Sequence, residues 1–134
     1  MYLEYLVIVS TGMNNPGYIV SLRSGYVLVE RRPGYRVVLS EMPAFLREIS
    51  AFCDEARCRK VLLVGPSTSV DLSTLDLYDL GEQIAGSRLQ IAIVESHDAS
   101  DEDETFLETV VFNRGGPLQF FATAEDAEHW LAST

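Results

Sequence analysis

The stretch from Thr105 to Ala122, T-F-L-E-T-V-V-F-N-R-G-G-P-L-Q-F-F-A, holds a helix, its stop and the strand after it, and so limits the folds open to the rest of the chain. Phe106, Leu107, Val110 and Val111 recur at helical spacing, and Asn113 and Arg114 fall in the last turn. Gly115 and Gly116 can leave the helix with positive φ, and Pro117 forbids its continuation. A short apolar strand, Leu118 to Ala122, follows. Asn113, Arg114 and Gly115 are the most motif-like residues in the chain. Their place between a helix and the strand it feeds puts them opposite the strands' carboxyl ends, where they read as architecture. The two polar side chains complement the helix's last carbonyls, and Gly115 with Pro117 turns the chain.

The same helix-to-strand grammar runs backwards from there to Ser40. Ser40 to Pro43 opens a helix whose apolar face is Phe45, Leu46, Ile49, Phe52, Cys53 and Ala56, with Arg47, Glu48, Asp54, Glu55 and Arg57 largely outside it. Val61 to Val64 is a short apolar strand, and Gly65-Pro66-Ser67-Thr68-Ser69 a polar loop. A second helix begins near Ser73, with Asp76 three residues on to meet its exposed N–H groups, and turns Leu77, Leu80, Gly81 and Ile84 inward until Gly86-Ser87. Leu89 to Val94 is the next strand, and the polar, acidic run Glu95 to Glu104 leads into the helix described first. A final helix starts at Thr123, with Asp126 placed for a near-capping box, and turns Ala127, Trp130 and Leu131 inward.

Before Ser40 the pattern is different. Leu3 to Val9 reads as a strand that fades into a continuous apolar run, which implies burial on both faces. Thr11 to Gly17 is a loop. Tyr18 to Leu22 and Tyr26 to Glu30 are strand-like around a break at Ser24-Gly25, and Arg31-Arg32-Pro33-Gly34 turns into a further strand-like run, Tyr35 to Leu39. An antiparallel N-terminal β section followed by strands separated by crossover helices predicts an α/β fold on a mainly parallel sheet.

With 134 residues, 47% of them hydrophobic, the chain suits one domain spanning residues 1–134 with a single core. Its longest apolar runs fall far short of the roughly 18 residues a membrane helix needs, and its first residues lack the basic-then-apolar pattern of a leader; both point to a cytoplasmic protein. The net charge of −10 divides unevenly: residues 1–60 carry eight basic and six acidic side chains, residues 61–134 two basic and fourteen acidic. Only Arg31, Arg32 and Arg36 approach a basic patch, which argues against nucleic acid; solubility, or a cationic partner, accounts for the acidic half. Cys53 and Cys58 lack the spacing of a zinc knuckle or a disulfide framework and are expected as reduced thiols.

The segments Ser73 to Glu82 and Glu108 to Gly115, followed by Phe120-Phe121-Ala122-Thr123 and Trp130-Leu131, resemble small bacterial SpoIIAA-like proteins of the STAS and SEC14-like group, an uncharacterised branch. The resemblance covers roughly Gly25 to Leu131 and implies a sheet of four or five main strands with helices packed on it. It also implies two roles. Anti-sigma-factor antagonists of this fold carry an Asp-Ser-Ser-Gly-like segment whose serine is phosphorylated to switch partner binding. Here the corresponding segment, Gly65 to Ser73, has hydroxyls without the motif. Ser69 and Ser73 are its candidate phosphorylation sites, opposed by the charges of Asp71, Asp76 and Asp79. SEC14-like relatives imply an apolar, lipid-like ligand between helix and sheet, with Tyr18, Tyr26, Tyr35, Phe45, Phe52 and Tyr78 as its lining; aromatic residues at such spacings also serve as ordinary packing.

Open parallel sheets bind at the carboxyl ends of their strands, here Ser40, Gly65 to Asp71, Glu95 to Asp98 and Thr123. Ser67, Thr68, Ser69, Asp71, Ser73, Glu95 and His97 therefore form the expected contact edge. Ser, His and Asp occur together there without a G-x-S-x-G elbow, so no hydrolase is expected and no catalytic residue is assigned. His97, Asp98, Asp101 and Asp103 are hard-ligand types, but the run lacks the glycine and terminal glutamate of a calcium loop, and no metal or cofactor is expected. The expectation is a non-enzymatic domain acting through a protein partner or as a homodimer at this edge. A small apolar ligand is the alternative, and an unrecognised enzyme a minor one.

Overall fold

The computed structural model describes residues 6–9, 17–65, 73–94 and 101–133, with the side chains of 6–9 and 101–105 left undescribed. Six strands form one sheet in the order in which they occur: β1 (Leu6–Val9), β2 (Tyr18–Leu22), β3 (Val27–Arg31), β4 (Lys60–Val64), β5 (Gln90–Val94) and β6 (Leu118–Phe121). The first three pair antiparallel, and β3 to β6 are parallel. Helices α1 (Met42–Ala56), α2 (Thr74–Gly86) and α3 (Asp101–Asn113) make the crossovers, and α4 (Ala124–Ala132) closes the chain. This is the α/β architecture that the sequence predicts, with the antiparallel section first.

Strand order decides how the helices are distributed. Right-handed crossovers that always step in the same direction leave every connecting helix on one face of the sheet. That face carries Val20, Val27, Val29, Val61, Ile91, Ile93 and Leu118, buried against Met42, Leu46, Ile49 and Cys53 of α1, Leu80 and Ile84 of α2, and Leu107 and Val111 of α3. The alternate residues face the other way, where Leu62 and Ala92 pack against Ala127 and Leu131 of α4. Lys60 fixes α4 on that face: its Nζ donates to the carbonyl of Leu131 at 2.7 Å, a cation placed where a helix end presents acceptors.

Several helix boundaries have a local cause. Ser73 Oγ accepts from the N–H of Asp76, and Asp76 Oδ2 accepts from the N–H of Ser73, both at 3.1 Å, completing a capping box at the start of α2. Thr123 Oγ1 accepts from Asp126 N–H at 3.2 Å to cap α4. α1 ends with Arg57 in the left-handed region, φ 56°, and Cys58 N–H returning to the Cys53 carbonyl at 3.0 Å. At the end of α3, Gly115 has φ 84°, its N–H donates to Phe112 O at 2.9 Å, and Gly116 N–H donates to Val111 O at 2.8 Å. That pair of bonds is a Schellman motif, so backbone groups satisfy the last carbonyls, not the Asn113 and Arg114 side chains as expected. Arg114 instead reaches α2, donating to Glu82 Oε1 at 3.3 Å with its guanidinium 5.3 Å from the centre of the Tyr78 ring.

A second departure concerns Tyr35 to Leu39. It is not a strand: only an isolated bridge forms at Arg36, and Leu39–Glu41 is a single 3-10 turn before α1. The reason is topological. β3 already has β2 on one side and β4 on the other, so the returning chain cannot pair along the strand it has just left.

No helix among the described residues is long and apolar enough to cross a membrane. Cys53 and Cys58 are free thiols, and no group of three His, Cys, Asp or Glu among the described residues is placed to hold a metal ion.

Gly115 has no atom within 4 Å of the position a Cβ would take, so a substitution there reports on backbone strain alone. Gly115→Val should lower unfolding free energy by roughly 1–2 kcal/mol, and Gly115→Asn by clearly less, because asparagine tolerates the left-handed region. Urea denaturation checks this; equal midpoints for the two variants would contradict it.

Candidate functional site

The register brings six strand ends to one edge. Val9 faces Tyr18 and Tyr18 faces Arg31, so the end of β1, the start of β2 and the end of β3 lie together. The carboxyl ends of β4, β5 and β6 extend the same edge through the pairs Glu30 with Val64 and Val94 with Phe121. This is where an open α/β sheet presents ligand-binding loops.

Of the expected contact residues, Ser73 is described, and it stands exposed at this edge as the cap of α2. Ser67, Thr68, Ser69, Asp71, Glu95 and His97 lie outside the described residues. Ser69, the other candidate phosphorylation site, is among them.

A clasp between β3 and β4, not anticipated from sequence, underlies the edge. Arg31 is 6% exposed, and its Nη2 donates to the carbonyl of Gly65 at 2.7 Å. Gly65 has φ 101°, and an added Cβ would lie 2.4 Å from the Arg31 carbonyl oxygen. Only glycine permits both this backbone angle and this approach, so the chain leaves β4 pressed against the end of β3. Glycine's presence after the apolar strand was visible; its contact thirty-four residues away was not.

The aromatic residues expected to line a pocket divide. Tyr18, Tyr35 and Phe45 pack on one another, with ring centres 4.8 Å apart for Tyr18 and Phe45 and 6.1 Å for Tyr18 and Tyr35, both edge to face. Phe52 joins the same core, whereas Tyr26 packs on the opposite face with α4 and Tyr78 meets Arg114. Burial raises the Tyr18 phenol well above its ordinary value, with Glu48 and then Tyr35 adding to it. Burial likewise pushes Tyr35 up to about 12, partly countered by Arg31 and reinforced by Glu41. Both rings are held neutral. Tyr18 Oη is buried without a hydrogen-bond partner among the described residues. Cys53 is similarly inert, its thiol pushed up to about 12 mainly by burial and then by Cys58.

Leu75 is a further residue of this edge. This apolar side chain in the first turn of α2 is 68% exposed, beside Ser73. Its signal in the sequence was an apolar residue off the inward face of Leu77, Leu80 and Ile84.

No family model matches the chain, and no curated protein matches it. Among solved structures, an uncharacterised protein of the DUF3478 family with a SpoIIAA-like fold, from Shewanella loihica PV-4, is similar over 98% of this chain and 97% of its own, at 16% identity and a TM-score of 0.49. An enoyl-CoA hydratase from Geobacillus kaustophilus HTA426 is similar over 68% of this chain and 40% of its own, at 14% identity and a TM-score of 0.41. The first bears the fold name that the sequence resemblance implied. The fold class itself rests on the strand order and directions given above.

Two outcomes test this geometry. Gly65→Ala should cost roughly 2 kcal/mol or more, since strain and a backbone clash act together, and a denaturation midpoint equal to wild type would refute the clasp. The second concerns alkaline pH. Tyr35 ionises near 10.0 when unfolded and about 12 when folded, so the unfolded chain loses its proton first. The stability this provides is complete below pH 10 and lost as pH rises toward 12. Unfolding free energy measured across that range should fall, and less steeply in Tyr35→Phe.

Proposed function

We propose that this chain is a non-enzymatic SpoIIAA-like domain that acts through a protein partner, or a second copy of itself, at the carboxyl edge of its sheet. The observation that carries the reading is Leu75: a large apolar side chain exposed in the first turn of α2, next to an exposed hydroxyl and beside the edge where the strands end. An exposed apolar side chain on a capped helix turn can serve as the anchor that a partner's pocket receives. The cytoplasmic location and the absence of a cofactor belong to the same reading.

Ser73 supplies a regulatory element within it. Its Oγ is the acceptor of the capping box, and Asp76 holds the backbone N–H of the same residue. A phosphoryl group on Oγ would bring up to two negative charges against the Asp76 carboxylate while still facing the helix N-terminus. The cap would then be remodelled beside Leu75, which links modification to docking.

Affinity capture from the source organism, compared across three forms of the protein, tests the docking edge. A partner held by wild type and by Phe112→Asp should be lost with Leu75→Asp; Phe112, 78% exposed at the far end of α3, is the control. Equal capture by both variants would move the contact elsewhere. Sedimentation of the same proteins covers a second copy as the partner. Alanine at Ser67, Ser69 and Ser73 together should alter the affinity if the hydroxyls carry the switch.

The alternative, a small apolar ligand, is favoured by Tyr18 Oη, a buried donor without a partner among the described residues. A lipid-sized adduct in native mass spectrometry of the purified protein would support it over the docking reading.

A further inference from the structure

Strand β6 ends the sheet, and its outer side faces no other strand among the described residues. The carbonyl of Pro117 accepts from Ile91 N–H at 3.0 Å, which fixes the alternation of the strand that follows. In a parallel ladder successive residues direct their backbone groups to opposite sides. Gln119 and Phe121 therefore address β5, while Leu118 and Phe120 present their N–H and C=O groups outward. Such an edge is a template for another strand.

Glu108 occupies that template. Half-buried on α3, its Oε2 accepts the outward N–H of Phe120 at 2.8 Å. The helix that carries it is held firmly. Gly81 of α2 lies against Val110, where a Cβ would come within 2.5 Å of a methyl, and Gly116 lies against Ala85 of α2. Arg114 ties the end of α3 to Glu82. The carboxylate thus sits where the carbonyl oxygen of an added strand would have to come, and two such acceptors repel.

We infer that Glu108 is an edge guard: it closes β6 to strand addition, and its removal opens the edge to a second copy of β6. The occupant follows from the strand itself. Outward donors and acceptors at Leu118 and Phe120 flank Gln119, so two copies related by a two-fold axis near that residue can pair antiparallel, each meeting the other's groups. The apolar Leu118 and Phe120 then continue the helix-covered face across the joint. This proposal is separate from the docking edge at Leu75, which lies at the start of a different helix and is untouched by changes to Glu108.

The test uses the full chain as wild type, Glu108→Ala and Glu108→Gln, with amide exchange at Phe120 and sedimentation over a wide concentration range. In Glu108→Ala the Phe120 amide should exchange roughly ten-fold faster or more in dilute solution, as expected for loss of a charge-assisted bond. The same variant should form a dimer as concentration rises, with Phe120 becoming protected again. Glu108→Gln keeps an acceptor and should preserve slow exchange, which separates the guard from a general loss of folding. Unchanged exchange in Glu108→Ala would overturn the guard. Faster exchange with a monomer at every concentration would overturn strand addition, and wild-type dimers that protect Phe120 further would show that the edge is already in use.

Discussion

Strands in a sheet lie about 4.8 Å apart, whereas packed helices need roughly 8–10 Å between axes. Three consecutive crossovers in one direction put α1, α2 and α3 on the same face over four parallel strands, so the helix layer is wider than the strands it spans. Much else answers to that crowding. Gly81 and Gly116 remove side chains where α2 meets α3 and the turn after it, so that Val110 can approach α2 and Ala85 can approach that turn. Arg114 then secures the contact through Glu82 and Tyr78. Crowding also accounts for α3 reaching the rim of the sheet, where Glu108 meets the outer backbone of β6.

The opposite face has a different economy. Among the described residues it receives only α4, whose nine residues bury Ala127 and Leu131 over β4 and β5 and leave Trp130 half-buried against Phe121. So short a helix gains little from its own backbone and depends on packing and its end interactions. Thr123 supplies one end, and Lys60, reaching across from β4, the other.

The carboxyl edge combines rigid and exposed parts. Beneath it the Arg31 and Gly65 clasp and the Tyr18, Tyr35 and Phe45 cluster make a firm floor, with phenols held neutral by burial. Above that floor Ser73 and Leu75 face outward on a helix whose first turn is fixed by its own cap. In the proposed contact, side chains already held by the Ser73 cap would not have to be ordered first, which lowers the entropic cost of binding.

Patterns contained within a few residues were legible in the sequence. The Ser73 and Asp76 cap, the Gly115-Gly116-Pro117 stop and the inward faces of α1 and α2 depend on neighbours three to five positions away, and the alternation of strand and helix was enough to imply the α/β class. Of the carboxyl edge, the sequence located Gly65 at a strand end and Ser73 at a helix start but had no means of marking Arg31 or Leu75 as their surroundings. Tyr35 to Leu39 shows the limit most clearly: its residues suit a strand, and only the occupation of both sides of β3 denies it one. The sequence by itself thus determined the helices and most of the strands, and where most of them stop, since those are short-range balances of capping, propensity and apolar spacing. Tertiary structure alone decided that Arg31 meets Gly65, that Lys60 meets Leu131 and that Glu108 meets Phe120, because a hydrogen bond needs its partner within about 3 Å, and chain topology sets which distant residues come that close.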